Sequence, residues 1–141
     1  MANLERAIEI AIEAHKNQKD KNGEPYIQHP LRVMNMGRTD EEKIVGVIHD
    51  VVEDSDWTFE DFEREGFSTA IIDALRCVTK QSEDEDYKNF INRIKPNSLA
   101  VKVKLNDLID NMDIRRMKEV KEKDVARLNK YLWAYRELIQ L

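Results

Sequence analysis

Residues 44–54, Ile-Val-Gly-Val-Ile-His-Asp-Val-Val-Glu-Asp, constrain this chain more than any other stretch. Their apolar side chains would cover most of the circumference of a helix, which predicts a central, buried helix. The same stretch carries His49, Asp50, Glu53 and Asp54. A charge taken out of water without a partner costs several kcal/mol, so a buried cluster of this kind requires a cation or a hydrogen-bond network. At about 100° per residue all four side chains point to one side of a continuous helix. Acidic groups at a helix C-terminus oppose the helix dipole, which argues against Glu53 and Asp54 being merely a solvated end.

The remaining chain must supply what the cluster lacks. Its 141 residues predict one domain over 1–141. Charged residues make up 36% and apolar residues 41%, with four Gly and three Pro, a composition that predicts a compact all-α bundle. The net charge of −5 argues against a nucleic acid polymer as partner, but not against a single nucleotide in a locally basic pocket. Cys77 is the one cysteine, so no internal disulfide forms, and a reducing, cytoplasmic setting is expected. It lies in an apolar run and reads as a small buried hydrophobe. No stretch approaches the ~18 apolar residues of a membrane span, and Met-Ala-Asn-Leu-Glu-Arg has no signal-peptide character. A whole cytoplasmic protein that makes no use of a membrane is therefore expected, its oligomeric state open.

Periodicity places about seven to eight helices. Leu4, Ala7, Ile8, Ala11, Ile12 and His15 recur at helical spacing and predict a helix over about 3–18, capped by Asn3. His15 on that stripe reads as a core histidine. Lys19 to Pro25 is a turn-rich loop, and His29-Pro30 opens a helix that Gly37 ends. Thr39 or Asp40 caps the helix containing 44–54. Thr58 with Asp61 is close to a capping box, and Gly66 closes that short helix. Ser68 caps a helix carrying Ile71, Ile72, Leu75 and Val78. Residues 81–86 are polar and acidic and read as a mobile loop. Tyr87, Phe90, Ile91 and Ile94 mark a helix stopped by Pro96. Ser98 caps the next, from Leu99 to Met112, and Val125, Leu128, Tyr131, Leu132, Tyr135, Leu138 and Ile139 mark a long amphipathic helix from Lys123 to Leu141. No segment shows strand alternation.

Three histidines are present, and two sit where they can converge. His29 and His49, joined by Asp50 and Asp107, would make two imidazoles and two carboxylates. That donor set suits Mn²⁺, Fe²⁺, Zn²⁺ or a similar divalent ion, with positions left open for water and a phosphate oxygen. Asp107 strengthens the reading, because it lies among Val103, Leu105 and Leu108, a poor place for an unpaired carboxylate. Three helices must pack together to assemble the site.

The pattern His29…His49-Asp50…Asp107 resembles the HD superfamily of metal-dependent phosphohydrolases. More narrowly, three segments resemble the hydrolase domain of the RelA/SpoT-type alarmone enzymes and their small stand-alone relatives. These are Ala14-His15 with Gln18 and Gly23-Glu24-Pro25-Tyr26-Ile27-Gln28-His29-Pro30; His49-Asp50-Val51-Val52-Glu53-Asp54; and Val103-Lys104-Leu105-Asn106-Asp107 with Asn111-Met112. The resemblance implies an HD-type helical fold and removal of the 3′-pyrophosphate of guanosine tetra- or pentaphosphate, a reaction of the stringent response, with Mn²⁺. It implies His29, His49, Asp50 and Asp107 as metal ligands, Glu53 and Asp54 as the acid/base pair, and Asn111 as a nucleoside contact. Lys19, Lys21 and Lys104 are expected to meet the substrate's negative charge.

Three departures from the family pattern bear on the substrate. Asp20 stands where the family carries an Arg that can stack on the base, Asn106 replaces Ala, and the segment between residues 79 and 98 is short. Two alternatives therefore stay open: the same metal chemistry on another nucleotide or phosphate ester, and a non-catalytic nucleotide-binding module.

Overall fold

Side-chain caps set most of the helix boundaries in the computed structural model, which describes residues 2–140. Nine α-helices and one short 3₁₀ turn occur among these residues: α1 (Leu4–Ala14), α2 (Gln28–Met36), α3 (Asp40–Ile48), α4 (Val51–Asp54), α5 (Phe59–Glu65), α6 (Thr69–Val78), α7 (Tyr87–Ile94), α8 (Ser98–Asn111), the turn Ile114–Arg116, and α9 (Glu122–Ile139). Asn3 accepts from the Arg6 N–H at 3.0 Å, Thr39 from Glu42 at 3.1 Å and Ser68 from Ile71 at 3.3 Å. Each supplies an acceptor for a helix-start N–H that has no partner within the helix. Thr58 and Asp61 complete a reciprocal capping box, and Gly66 closes α5 at φ 93°, where only Gly is free of strain.

Four details differ from the expectations. α1 stops at Ala14 rather than about residue 18, because the chain turns there and Asn17 takes φ 67°. α8 is capped by Asn97, which accepts from the Ala100 N–H at 2.9 Å, not by Ser98. The 81–86 loop is tied down. Glu85 accepts from the Gln81 N–H at 2.9 Å and makes two bonds to the Arg93 guanidinium, at 2.7 and 2.8 Å. The stretch 44–54 is not one helix but α3 and α4, broken at His49-Asp50. His49 Nδ1 bonds the Gly46 carbonyl at 2.6 Å. In a continuous helix that carbonyl would serve the Asp50 N–H, so the side chain competes with the ladder and lets the backbone turn.

The helices share one core. α3 lies at its centre and packs against α1, α2, α6 and α8. Val45, Val47 and Ile48 are completely buried, as are Ala7, Val33, Leu75 and Leu108 from its neighbours. Gly46 sits against α2, and a Cβ there would meet Val33 Cγ1 at 3.3 Å. That close approach carries His29 of α2 up to His49. α9 packs across α7 and α8, which brings Lys130 and Tyr131 to the end of α8 that holds Asp107.

Candidate active site

Rigid backbone fixes all four expected ligands. His29 lies in the first turn of α2, where Pro30 limits the chain, and His49 and Asp50 form the α3–α4 break. Asp107 lies one turn before the end of α8. His29, His49 and Asp50 each offer a ligating atom within 4.8 Å of the others. Asp107 Oδ1 is 2.9 Å from His29 Nε2 and 3.3 Å from His49 Nε2, and Asp50 Oδ2 is 3.1 Å from His49 Nε2.

The outer nitrogen of each imidazole is already committed. His49 Nδ1 faces the Gly46 carbonyl, which can only accept, so this nitrogen carries the hydrogen. His29 Nδ1 bonds Asp110 Oδ2 at 2.6 Å, and Asp110 is held in turn by Arg32 at 2.7 Å and by Arg116 at 3.3 Å. Both Nε2 atoms are thereby aimed inward, the orientation that metal-binding histidines take from their outer partners. His49 Nε2 is buried and has no hydrogen-bond partner among the described residues, although two carboxylates stand near it. A buried imidazole nitrogen among carboxylate oxygens needs positive charge at that point, supplied by a proton or by a bound cation. Two imidazole nitrogens and two carboxylates fit a divalent cation of the borderline class.

Electrostatics point the same way. Burial disfavours charge on His49, but Asp50 and Asp107 outweigh it and hold the imidazole pKa well above its ordinary value. Burial would raise Asp50, but His49 brings it down to about 2. Asp107 is held well below the usual carboxylate range against its burial by Lys104 and His49, with Lys104 Nζ 2.9 Å from its Oδ2. Tyr26 donates its hydroxyl hydrogen to Asp50. Its ring links His15 to His29, at centroid distances of 5.1 and 5.8 Å.

Glu53 and Asp54 follow on α4 at the mouth of the site, both solvent-exposed. Partial loss of hydration and then the Asp50 charge push the Glu53 carboxyl up to about 7, and the same two causes raise Asp54. Gln18 ties this helix to α1, since its amide donates to the backbone carbonyls of Ala14 and Asp54 at 3.1 and 3.0 Å.

Asp50, Glu53 and Asp107 open on a polar cavity of about 190 Å³. Lys104 and Asn111 line it as well; Lys19 and Lys21 do not. Asn111 donates its amide hydrogen to Asp107 Oδ1 at 3.0 Å, leaving its carbonyl oxygen for other partners. Asp20 holds its own loop, accepting from the Asn22 and Glu24 N–H groups at 2.8 and 2.9 Å. The sequence reading missed Lys80, Tyr87, Lys130 and Tyr131, which also line the cavity. An exposed Lys, whether in a loop like Lys80 or on an amphipathic helix like Lys130, gives no local signal, because only packing decides what looks into a cleft. A larger, open depression of about 370 Å³ near Trp57 and Arg64 shares no residue with this cluster.

No family model matches the chain. Among curated proteins it is 32% identical to the guanosine-3′,5′-bis(diphosphate) 3′-pyrophosphohydrolase of Aquifex aeolicus, over 93% of this chain and 20% of that protein. It is 27% identical to the bifunctional (p)ppGpp synthase/hydrolase SpoT of Escherichia coli, over 88% of this chain and 20% of that protein. The chain thus spans about a fifth of the length of these relatives. A solved structure of a metazoan ortholog of SpoT, described as hydrolyzing ppGpp, superposes with a TM-score of 0.81 at 22% identity, covering 98% of this chain and 85% of that one. The all-helical fold is the one that structure has.

Proposed function

We infer that this chain is a hydrolase domain of the RelA/SpoT type, and that it removes the 3′-pyrophosphate of guanosine tetra- or pentaphosphate with the help of Mn²⁺. One observation carries the reading: His29, His49, Asp50 and Asp107 converge beside Glu53, at a cavity that lysines also line. The Aquifex and Escherichia relatives support the substrate, since their names assign them this nucleotide.

His29, His49, Asp50 and Asp107 would hold the cation. When bound, a divalent ion lowers the pKa of a coordinated water and neutralises phosphate charge. Glu53 is the general base: with its pKa near 7, it can accept the proton of the attacking water and release it again near neutrality. Asp54, next along α4 and also raised, is the second member of the acid/base pair. As water adds to phosphorus, the bond from that phosphorus to the ribose 3′ oxygen breaks, that oxygen takes a proton from the acid/base pair to become the 3′ hydroxyl, and pyrophosphate departs. Lys104 stands 2.9 Å from Asp107 and offsets charge building on the departing group. The carbonyl of Asn111 is free to contact the nucleoside. The single Cys77 is in keeping with a cytoplasmic setting.

A second reading, the same chemistry on another nucleotide, is favoured by Asp20. Its carboxylate is spent on its own loop, so it cannot replace a base-stacking Arg. The deciding experiment is a hydrolysis screen with Mn²⁺, setting ppGpp and pppGpp against other nucleotides and following pyrophosphate release. Turnover of ppGpp to GDP and pyrophosphate, lost in Glu53→Gln while the metal content is kept, is the expected result. Faster turnover of a nucleotide without a 3′-pyrophosphate would favour the second reading, and no turnover of any substrate would overturn both.

A further inference from the structure

The cavity that the carboxylates line also holds positive charge that the fold itself does not use. Lys80 and Lys130 both line it, and neither has a carboxylate partner among the described residues. The Lys130 ammonium lies 4.6 Å from the centre of the Tyr87 ring and 5.8 Å from that of Tyr131, so aromatic faces hold it over the cavity instead of a counter-charge. Burial lowers the Lys130 pKa, and the nearby charges of Lys80 and Lys104 lower it further. These cations repel one another and share one empty space. Tyr87 adds an independent sign of a missing ligand: its hydroxyl is buried with no hydrogen-bond partner among the described residues. Buried polar groups are nearly always paired, and an unpaired one calls for an explanation.

The size of the space limits what can fill it. Pockets for drug-sized molecules run about 300–1,000 Å³, and this one is about 190 Å³. Space on this scale suits a diphosphate group, with the nucleoside left towards Asn111 and the mouth.

We propose that Lys80, Lys130 and the Tyr87 hydroxyl form a diphosphate subsite beside Lys104, and that this subsite binds free inorganic pyrophosphate in preference to orthophosphate. Lys80, Lys104 and Lys130 line one cavity, and two linked phosphates offer that set more charge and more acceptor oxygens than a single phosphate does. The proposal rests on the phosphohydrolase reading for its place in a reaction, where it makes pyrophosphate a product that holds to the enzyme and inhibits it. Binding of the free anion can be measured without any turnover.

The test is calorimetric titration of the Mn²⁺-loaded protein with pyrophosphate and, separately, with orthophosphate. Pyrophosphate should bind at least ten-fold tighter than orthophosphate. Lys80→Ala and Lys130→Ala should each weaken pyrophosphate at least five-fold with the metal content unchanged, while Lys16→Ala, an exposed lysine outside the cavity, leaves it as it was. Tyr87→Phe should weaken pyrophosphate several-fold without lowering the melting temperature, since the hydroxyl it removes has no partner to lose. Equal binding of the two anions, or pyrophosphate affinity untouched in both lysine variants, would overturn the subsite. Lysine-dependent pyrophosphate binding by a protein that cleaves no nucleotide would keep the subsite and sink the hydrolase reading; ppGpp cleavage with lysine-independent pyrophosphate binding would do the reverse.

Discussion

His49 is bonded at one ring nitrogen and bare at the other, and that asymmetry organises the site. Its Nδ1 is spent on Gly46, which breaks the helix and turns Nε2 inward. His49→Ala should therefore remove bound metal altogether, read by elemental analysis of the purified protein; full metal content in that variant would refute the site. Asp110 does for His29 what Gly46 does for His49. Replacing it with Asn keeps the shape but removes the charge behind the imidazole, and outer partners of this kind are worth about 10–100-fold in metal affinity. A competition titration should show that loss. Glu53 carries a sign that can be checked in metal-free protein. Its folded pKa, about 7, lies above the ordinary 4.5. Between those values the folded state holds more proton than the unfolded one, so stability falls as pH rises across the window, and the loss is complete above about 7. Glu53→Gln should flatten that slope in denaturant melts run in EDTA. Turnover of the proposed reaction should have the opposite sense, rising as Glu53 ionises, and a cation bound beside Asp50 should shift the rise to lower pH.

At the scale of elements, the contact between α2 and α3 sets the distance between the two imidazoles. Gly46 permits it, with Val33 and the Met34 backbone within 3.4 Å of where a Cβ would lie. Val33 is completely buried and has no room to give. Gly46→Val should destabilise the fold by about 2 kcal/mol, the usual scale of overpacking, and should weaken metal binding by spreading α2 from α3; an unchanged melting temperature would show that the approach is not tight. The α6–α7 connection has a different control. Arg93 pairs with Glu85 and also donates to the Thr79 carbonyl at 3.2 Å. That pairing holds the Glu85 carboxyl down at about 2 against an ordinary 4.5. Its stabilisation is present above about 4.5 and is lost as pH falls towards 2. Arg93→Ala should remove this part of the acid limb of the melting profile.

For the molecule as a whole, the site is assembled by packing rather than by any one segment. α2, the α3–α4 break and α8 each bring charge to one point, with a buried core beneath them. A cation that binds only the folded arrangement stabilises it by mass action, about 4 kcal/mol at a thousand times the dissociation constant. Mn²⁺ should therefore raise the melting temperature of the protein and EDTA should lower it, while His49→Ala should respond to neither. No described helix is long and apolar enough to cross a membrane.

Much of this was legible in the chain itself, for physical reasons. Helix periodicity and caps are local, so Asn3, Thr39, Thr58 and Ser68 could be read directly, and a His-Asp pair inside an apolar run implied a compensating partner before any fold was known. His29 could be added because Pro30 sets it at a rigid helix start, and Asp107 because a carboxylate among Val103, Leu105 and Leu108 needs a reason. What the sequence could not carry was the result of long-range packing. The break at His49-Asp50 depends on a ring turning back to a carbonyl in the preceding helical turn. Asp110 becomes a partner of His29 only when α8 lies against α2. Lys19 and Lys21, near the motif in sequence, fall outside the cavity, whereas Lys80 and Lys130, far from it, line the wall. Local pattern decided which residues could be buried and paired; only the tertiary structure decided which charges share one cavity.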